Sequence, residues 1–203
     1  MVLLGTVGLP LSGLAQAEVD QHPVSRLQLS SIEYARLPAE AADWHADFTS
    51  LDDVEFRPLR PQDWNQGVTG DVFWLRFAVH NPTDQPVAWI LQYETSYLDS
   101  MVLYWRDQEN PSTAGAVDDV MAFQRVAINR PDGFAARPME YRKPTLRVVT
   151  PAGGTTDLRV RLQQMIPDAV SLRVQVSEER LFNQVAYRHT LLQGGYFGAL
   201  LSL

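Results

Sequence analysis

Between Val72 and Trp105 apolar and polar residues take turns along the chain. Phe73, Leu75, Phe77 and Val79 alternate with Trp74, Arg76, Ala78 and His80, and a period of two marks a strand with one apolar face. Asn81-Pro82-Thr83-Asp84-Gln85-Pro86 interrupts the pattern with turn formers and two prolines. Val87, Trp89, Leu91 and Tyr93 resume it, and a third apolar run spans Ser100 to Trp105. Three strands this close, with no helix between them, predict antiparallel pairing and a sandwich or barrel.

The same reading extends in both directions. Ile32 to Leu37 predicts a first strand, and Thr49 or Ser50 can cap a short helical turn with Asp52 and Asp53 in it. Phe56 to Leu59 reads as an edge segment, and Pro61 to Gly70 as a loop. Arg106 to Asp119 has no apolar period and reads as a long polar loop. Val120 to Ile128 and Leu146 to Val149 predict strands, separated from what surrounds them by turn signals at Asn129-Arg130-Pro131-Asp132-Gly133 and Pro151-Ala152-Gly153-Gly154. Leu158, Val160 and Leu162 alternate with Arg159, Arg161 and Gln163; Val170, Leu172, Val174 and Val176 alternate with Ser171, Arg173, Gln175 and Ser177. Each run predicts a strand with a polar outer face. Phe73, Leu75, Phe77, Val160, Leu162, Leu172 and Val174 are the expected core. From Glu178 to His189 the pattern turns helical.

The two ends have another character. Residues 1–17 are apolar and uncharged, and Ala15-Gln16-Ala17 makes a small-x-small site just before Glu18. This predicts a signal peptide, although no Lys or Arg precedes the apolar run; a buried apolar N-terminal segment is the alternative. Residues 18–30 are expected to be flexible, 31–182 to form the sandwich, and 183–203 to link it to the start of a first transmembrane helix. Thr190 to Leu203 carries no charge and holds three glycines, at 194, 195 and 198, which are poor in a soluble helix and tolerated in a membrane one. A C-terminal core helix is the alternative there. The net charge of -7 argues against binding a nucleic-acid backbone. The absence of cysteine excludes disulfides, thiolate metal sites and cysteine nucleophiles together.

The order of these signals resembles the type 2 extracellular domain of bacterial seven-transmembrane receptors with diverse intracellular signalling modules. The resemblance rests on Ser50-Leu51-Asp52-Asp53-Val54 with Phe56 and Pro58, then Phe73-Trp74-Leu75-Arg76-Phe77 with Asn81-Pro82. Leu98-Asp99, Val102, Leu103-Tyr104, Tyr141-Arg142-Lys143-Pro144, Leu158-Arg159-Val160-Arg161 and Val170-Ser171-Leu172 continue it. Gly195-Tyr196-Phe197-Gly198 stands where that family enters its first membrane helix. The resemblance covers about Ile32 to Leu203. It implies an all-β jelly-roll sandwich similar to a carbohydrate-binding module, in the periplasm, carried by an inner-membrane protein whose cytoplasmic output is a kinase or a cyclase. Lys143 departs from the family pattern, where a His is expected beside Arg142.

Candidate chemistry narrows to binding. His22, His45, His80 and His189 show no metal-ligand spacing. Jelly-roll modules often hold a structural calcium, and Asp52-Asp53 and Asp118-Asp119 are the carboxylates on offer, though neither forms the alternating acidic loop of a dedicated site. No other cofactor is expected. Trp74 and Arg76 share one strand face, and Arg159 and Arg161 share another. An aromatic ring can stack on a sugar and arginines can hold carboxylates. Trp74, Arg76, Tyr104, Arg159 and Arg161 are therefore the candidate ligand-binding set, unless Trp74 lies under a loop with Arg76 salt-bridged. No residue is a catalytic candidate. The expected function is a periplasmic sensor of a small polar ligand such as a saccharide, with the inner membrane and a second copy of the chain as further partners. A carbohydrate-active enzyme and a structural dimerisation module are the alternatives.

Overall fold

The computed structural model describes residues 26–39, 51, 54–108 and 123–186. Among the described residues twelve strands are formed: β1 (Gln28–Leu29), β2 (Glu33–Leu37), β3 (Arg57–Pro58), β4 (Asn65–Thr69), β5 (Val72–His80), β6 (Val87–Tyr93), β7 (Ser100–Gln108), β8 (Gln124–Asn129), β9 (Thr145–Thr150), β10 (Thr155–Gln163), β11 (Asp168–Ser171) and β12 (Val174–Glu178). A helix over 179–186 follows β12.

The large sheet has the order β3-β2-β5-β10-β7-β8, with β1 also on β5; β12-β6-β9 forms a small sheet and β11-β4 a two-stranded one. Neighbours pair antiparallel, as short connections require. The fold is thus the all-β sandwich that the alternation demands. One row of register partners crosses the large sheet from Tyr34 through Leu75, Val160 and Leu103 to Val126. It faces Trp89, Leu91, Tyr93, Leu146 and Val148 of the small sheet in one apolar core. Polar groups inside it are paired. Trp89 donates its ring N–H to Thr150 at 2.9 Å, Thr150 meets Thr156 at 2.9 Å, and Thr156 donates to Asp107 at 2.6 Å.

Of the expected core residues, six are buried, and Val174 is half-buried against the same cluster. Other expectations need correction. Gln28–Leu29 is not loose: it pairs with Val79–His80, and Leu27 is buried. Pro61 to Gly70 is not all loop, because Asn65–Thr69 pairs with β11. Val170 to Val176 is two strands, not one. The Leu172 N–H still donates to the Trp64 carbonyl at 2.7 Å, next to the Ser171–Asn65 pair, and only after it does the chain move from β4 to β6, where Val174 pairs with Tyr93. β7 also continues past Trp105 to Gln108, since Arg106 and Asp107 pair with Asp157 and Thr156.

Asn81-Pro82 is a structural turn. The Asn81 side chain is fully enclosed, with its amide nitrogen 2.8 Å from the Gln85 carbonyl and 2.9 Å from that of Pro151. Its oxygen accepts from the Thr83 hydroxyl at 2.7 Å. The expected signal peptide, the cap at Thr49 or Ser50, the acidic pairs at 52–53 and 118–119, and the uncharged run 190–203 lie outside the described residues. Among the described residues no helix is long and apolar enough to cross a membrane, and no three His, Asp or Glu side chains group as metal ligands.

Candidate functional site

Strand register brings the five sequence-predicted residues together on the outer face of the large sheet. Arg159 stands between Arg76 on β5 and Tyr104 on β7, and Arg161 between Trp74 and Val102. The Trp74 and Tyr104 rings lie 5.8 Å apart. The face is nevertheless closed. Trp74 is only 2% exposed, and it packs with Leu51, Val72, Val102 and Tyr104 in a second apolar cluster to which Val54, Phe56 and Phe123 also belong. The expected stacking surface is therefore corrected: Trp74 belongs to a second core layer, as large aromatic residues commonly do. Arg76 is engaged as well, with its Nε 2.5 Å from Glu33 and its guanidinium 4.3 Å above the Phe56 ring. Arg161 is buried and donates to Gln163 at 2.7 Å, Arg159 donates to the Leu158 carbonyl at 3.0 Å, and the Tyr104 hydroxyl accepts from Arg125 at 3.3 Å.

The outer face of the small sheet is finished differently. Val87, Trp89, Leu91 and Tyr93 point into the core, which leaves Ile90 and Gln92 on the opposite side. Register places Gln175 beside Gln92, Ser177 beside Ile90, and Thr145 on the far flank of Gln92. The helix over 179–186 folds back across this face. Arg147, opposite Ile90, pairs with Glu179 at 2.9 Å and fixes where the helix starts. Three residues on, the Phe182 ring lies 5.0 Å from that of Tyr141. The Pro144 carbonyl accepts from the Tyr93 N–H at 2.9 Å and anchors the 141–143 segment beside the end of β6.

A groove of about 320 Å³ remains between these parts. Its floor is Gln92, Gln175 and Ser177; one wall is Tyr141, Arg142 and Lys143; the other is Leu181, Phe182, Val185 and Ala186. The arrangement combines amide and hydroxyl groups, an aromatic and apolar wall, and two cations, with no carboxylate among its lining residues. That is the make-up of a small-ligand pocket, in which a few polar groups orient a ligand against apolar surface. Tyr141-Arg142-Lys143 was visible as a motif and Gln175 and Ser177 as a polar phase. Nothing local in the sequence places Phe182 against Tyr141, which depends on the helix folding back.

A second, shallower groove of about 420 Å³ is lined by Trp64, Asn65, Glu94, Thr95, Ser171 and Arg173 among others. Here the domain occupies its own aromatic ring: the Arg173 guanidinium lies 4.5 Å above Trp64 and pairs with Glu94 at 2.9 Å. Below it, the Tyr93 hydroxyl donates to the Ser171 carbonyl at 2.6 Å, and burial holds that phenol above its ordinary pKa.

No curated protein matches the chain. The family described as 7TMR-DISM extracellular 2 matches residues 25–176, well over half of the chain. That family consists of extracellular sensor domains and is not a class of enzymes. The chain belongs to this family of type 2 extracellular domains of seven-transmembrane receptors, and is the periplasmic sensor domain of a membrane protein.

Proposed function

We propose that the domain detects a small polar ligand, a saccharide or sugar acid, in the groove between the small sheet and the helix over 179–186. The observation that carries this reading is that one cavity is lined by both the sheet and the helix. A ligand there touches the rigid sandwich and the element through which the chain leaves it. Ligand contacts that differ between two helix positions shift the balance between them, by no more than the difference in affinity. Gln92, Gln175 and Ser177 offer donors and acceptors for hydroxyls. Tyr141 and Phe182 offer ring surface, and Arg142 and Lys143 favour a carboxylate. The family's resemblance to carbohydrate-binding modules supports the ligand class.

Calorimetry tests this with a neutral hexose, its uronate and a four-carbon dicarboxylate. Binding is expected near millimolar, about 4 kcal/mol, for a single sugar unit in an open groove. Lys143→Ala should weaken the uronate by about tenfold, the scale of a lost charge-assisted hydrogen bond. Gln175→Ala should weaken every ligand that binds. If all ligands bind both variants as they bind the wild type, the groove is not the site.

A further inference from the structure

Five of the eight large hydrophobic residues exposed among the described residues lie at one end of the sandwich, four of them in connections and one on a short strand. They are Val68, Tyr97, Phe134, Met165 and Ile166, at 73%, 66%, 51%, 54% and 76% exposure. Sequence places them in four separate segments, and topology gathers them. Tyr97 is in the connection from β6 to β7, and Phe134 in the short turn after β8, whose last residue Asn129 pairs with Ser100 at the start of β7. Met165 and Ile166 connect β10 to β11, and Val68 on β4 pairs with Ala169 on β11.

Hydrogen bonds tie these connections to one another. Gln164 donates to the Tyr97 carbonyl at 3.2 Å, and its side-chain oxygen accepts from the Asp99 N–H at 3.0 Å. Asp99 accepts from the Met165 N–H at 3.0 Å and pairs with Arg130 at 3.2 Å. The apolar side chains are thus held outward on fixed backbone. The opposite end differs: its turns at 81–86 and 151–154 expose Pro82, Asp84, Gln85, Pro86, Ala152 and Gly153. The exposed apolar residues nearest that end, Leu29 and Val149, are only 37% and 38% accessible.

The helix over 179–186 identifies the occupant. It starts level with Ile90, where Glu179 meets Arg147, and has reached Tyr141 by Phe182. It therefore runs toward the end of β6, which is the end that carries Tyr97. Four residues after Ala186 begins the uncharged sequence from Thr190 to Leu203. We propose that this end of the sandwich rests on the membrane, with Tyr97, Phe134, Met165 and Ile166 seated in the lipid interface. Amphipathic rings and flexible apolar chains partition there, while Arg142 and Lys143 stay at headgroup level. Contact at several points would fix the tilt of the domain, so that movement of the helix is measured against the membrane itself.

The chain has no cysteine, so single-site labelling tests this directly. Ile166→Cys and Asp84→Cys, at opposite ends, each receive an environment-sensitive fluorophore on the full chain, reconstituted in vesicles of phosphatidylethanolamine and phosphatidylglycerol. Circular dichroism checks that each labelled protein is folded. Acyl-brominated lipid should quench the label at 166 by about half or more, as expected of an interfacial position, and leave that at 84 nearly unchanged. Equal quenching at both sites, or none at 166, overturns the proposal. A label at 166 that is shielded from water, is not quenched by brominated lipid and cross-links between chains also overturns it, in favour of a second copy as the occupant.

Discussion

Both sheets of the sandwich turn a mixed polar face outward, and the two faces are finished in opposite ways. On the large sheet the outward row from Ala35 through Trp74 and Arg161 to Val102 is buried, and Arg76 is held between Glu33 and Phe56. On the small sheet the outward row of Gln175 and Gln92 lines a groove beside the returning helix. Aromatic residues beside arginine do not by themselves make a ligand platform. Rings that are free to bind must lie where the protein's own chain has not already covered them, which strand alternation does not report.

The largest expected effect tests the closed face. Trp74→Ala should cost about 3–5 kcal/mol, because the residue fills a packed layer. Leu75→Ala, on the other face of the same strand, should cost about 2–5 kcal/mol. Two neighbours pointing in opposite directions would then both behave as core residues. Denaturant melts check this, and a Trp74→Ala loss under about 0.5 kcal/mol, usual for a surface change, would mean that the large-sheet face is open.

The open face should respond differently. Gln175→Ala is expected to change stability by less than about 0.5 kcal/mol, since its side chain lines a groove and fills no core layer. Its effect should appear in ligand titrations. A loss of core size in the melt would mean that the groove is a packed interior.

The smallest effect is one of pH, at the rim of the large sheet. Burial tends to raise the Asp71 carboxyl, but the Arg36 side chain, the Ala39 N–H and Thr69 together hold it below its usual value. A depressed carboxylate stabilises the fold above its unfolded pKa of about 3.9, and that contribution fades as pH falls through the lower folded value. The stability difference between wild type and Asp71→Asn should therefore be steady at neutral pH and shrink below about pH 4. A difference that persists unchanged into stronger acid would show that the charge of Asp71 contributes nothing.

Much of the fold was legible because alternation is a local signal. Phe73, Leu75 and Phe77 state their phase within one strand, and Asn81-Pro82 states its turn. The sheet switch at Leu172–Arg173 was not legible, because the apolar period runs through it unbroken while the backbone partner changes from Trp64 to Glu94 and Tyr93. The five predicted ligand residues do share one face, as their phases required, but burial of Trp74 depends on Leu51, Val54, Phe56 and Phe123 from distant segments. The groove was hidden for a related reason. Tyr141, Gln92 and Phe182 come from three separate parts of the chain and meet only because the helix returns over β12.

The most direct test of the central claim is to map binding on the protein by amide NMR, adding a hexose and its uronate to the folded domain. Ligand in the groove should shift the amides of Gln92, Tyr141, Arg142, Lys143, Gln175 and Ser177 together with those of Leu181 and Phe182, and leave Trp74, Arg76 and Arg159 unmoved. Shifts centred on Arg76, Arg159 and Tyr104, with the groove and helix silent, would contradict it.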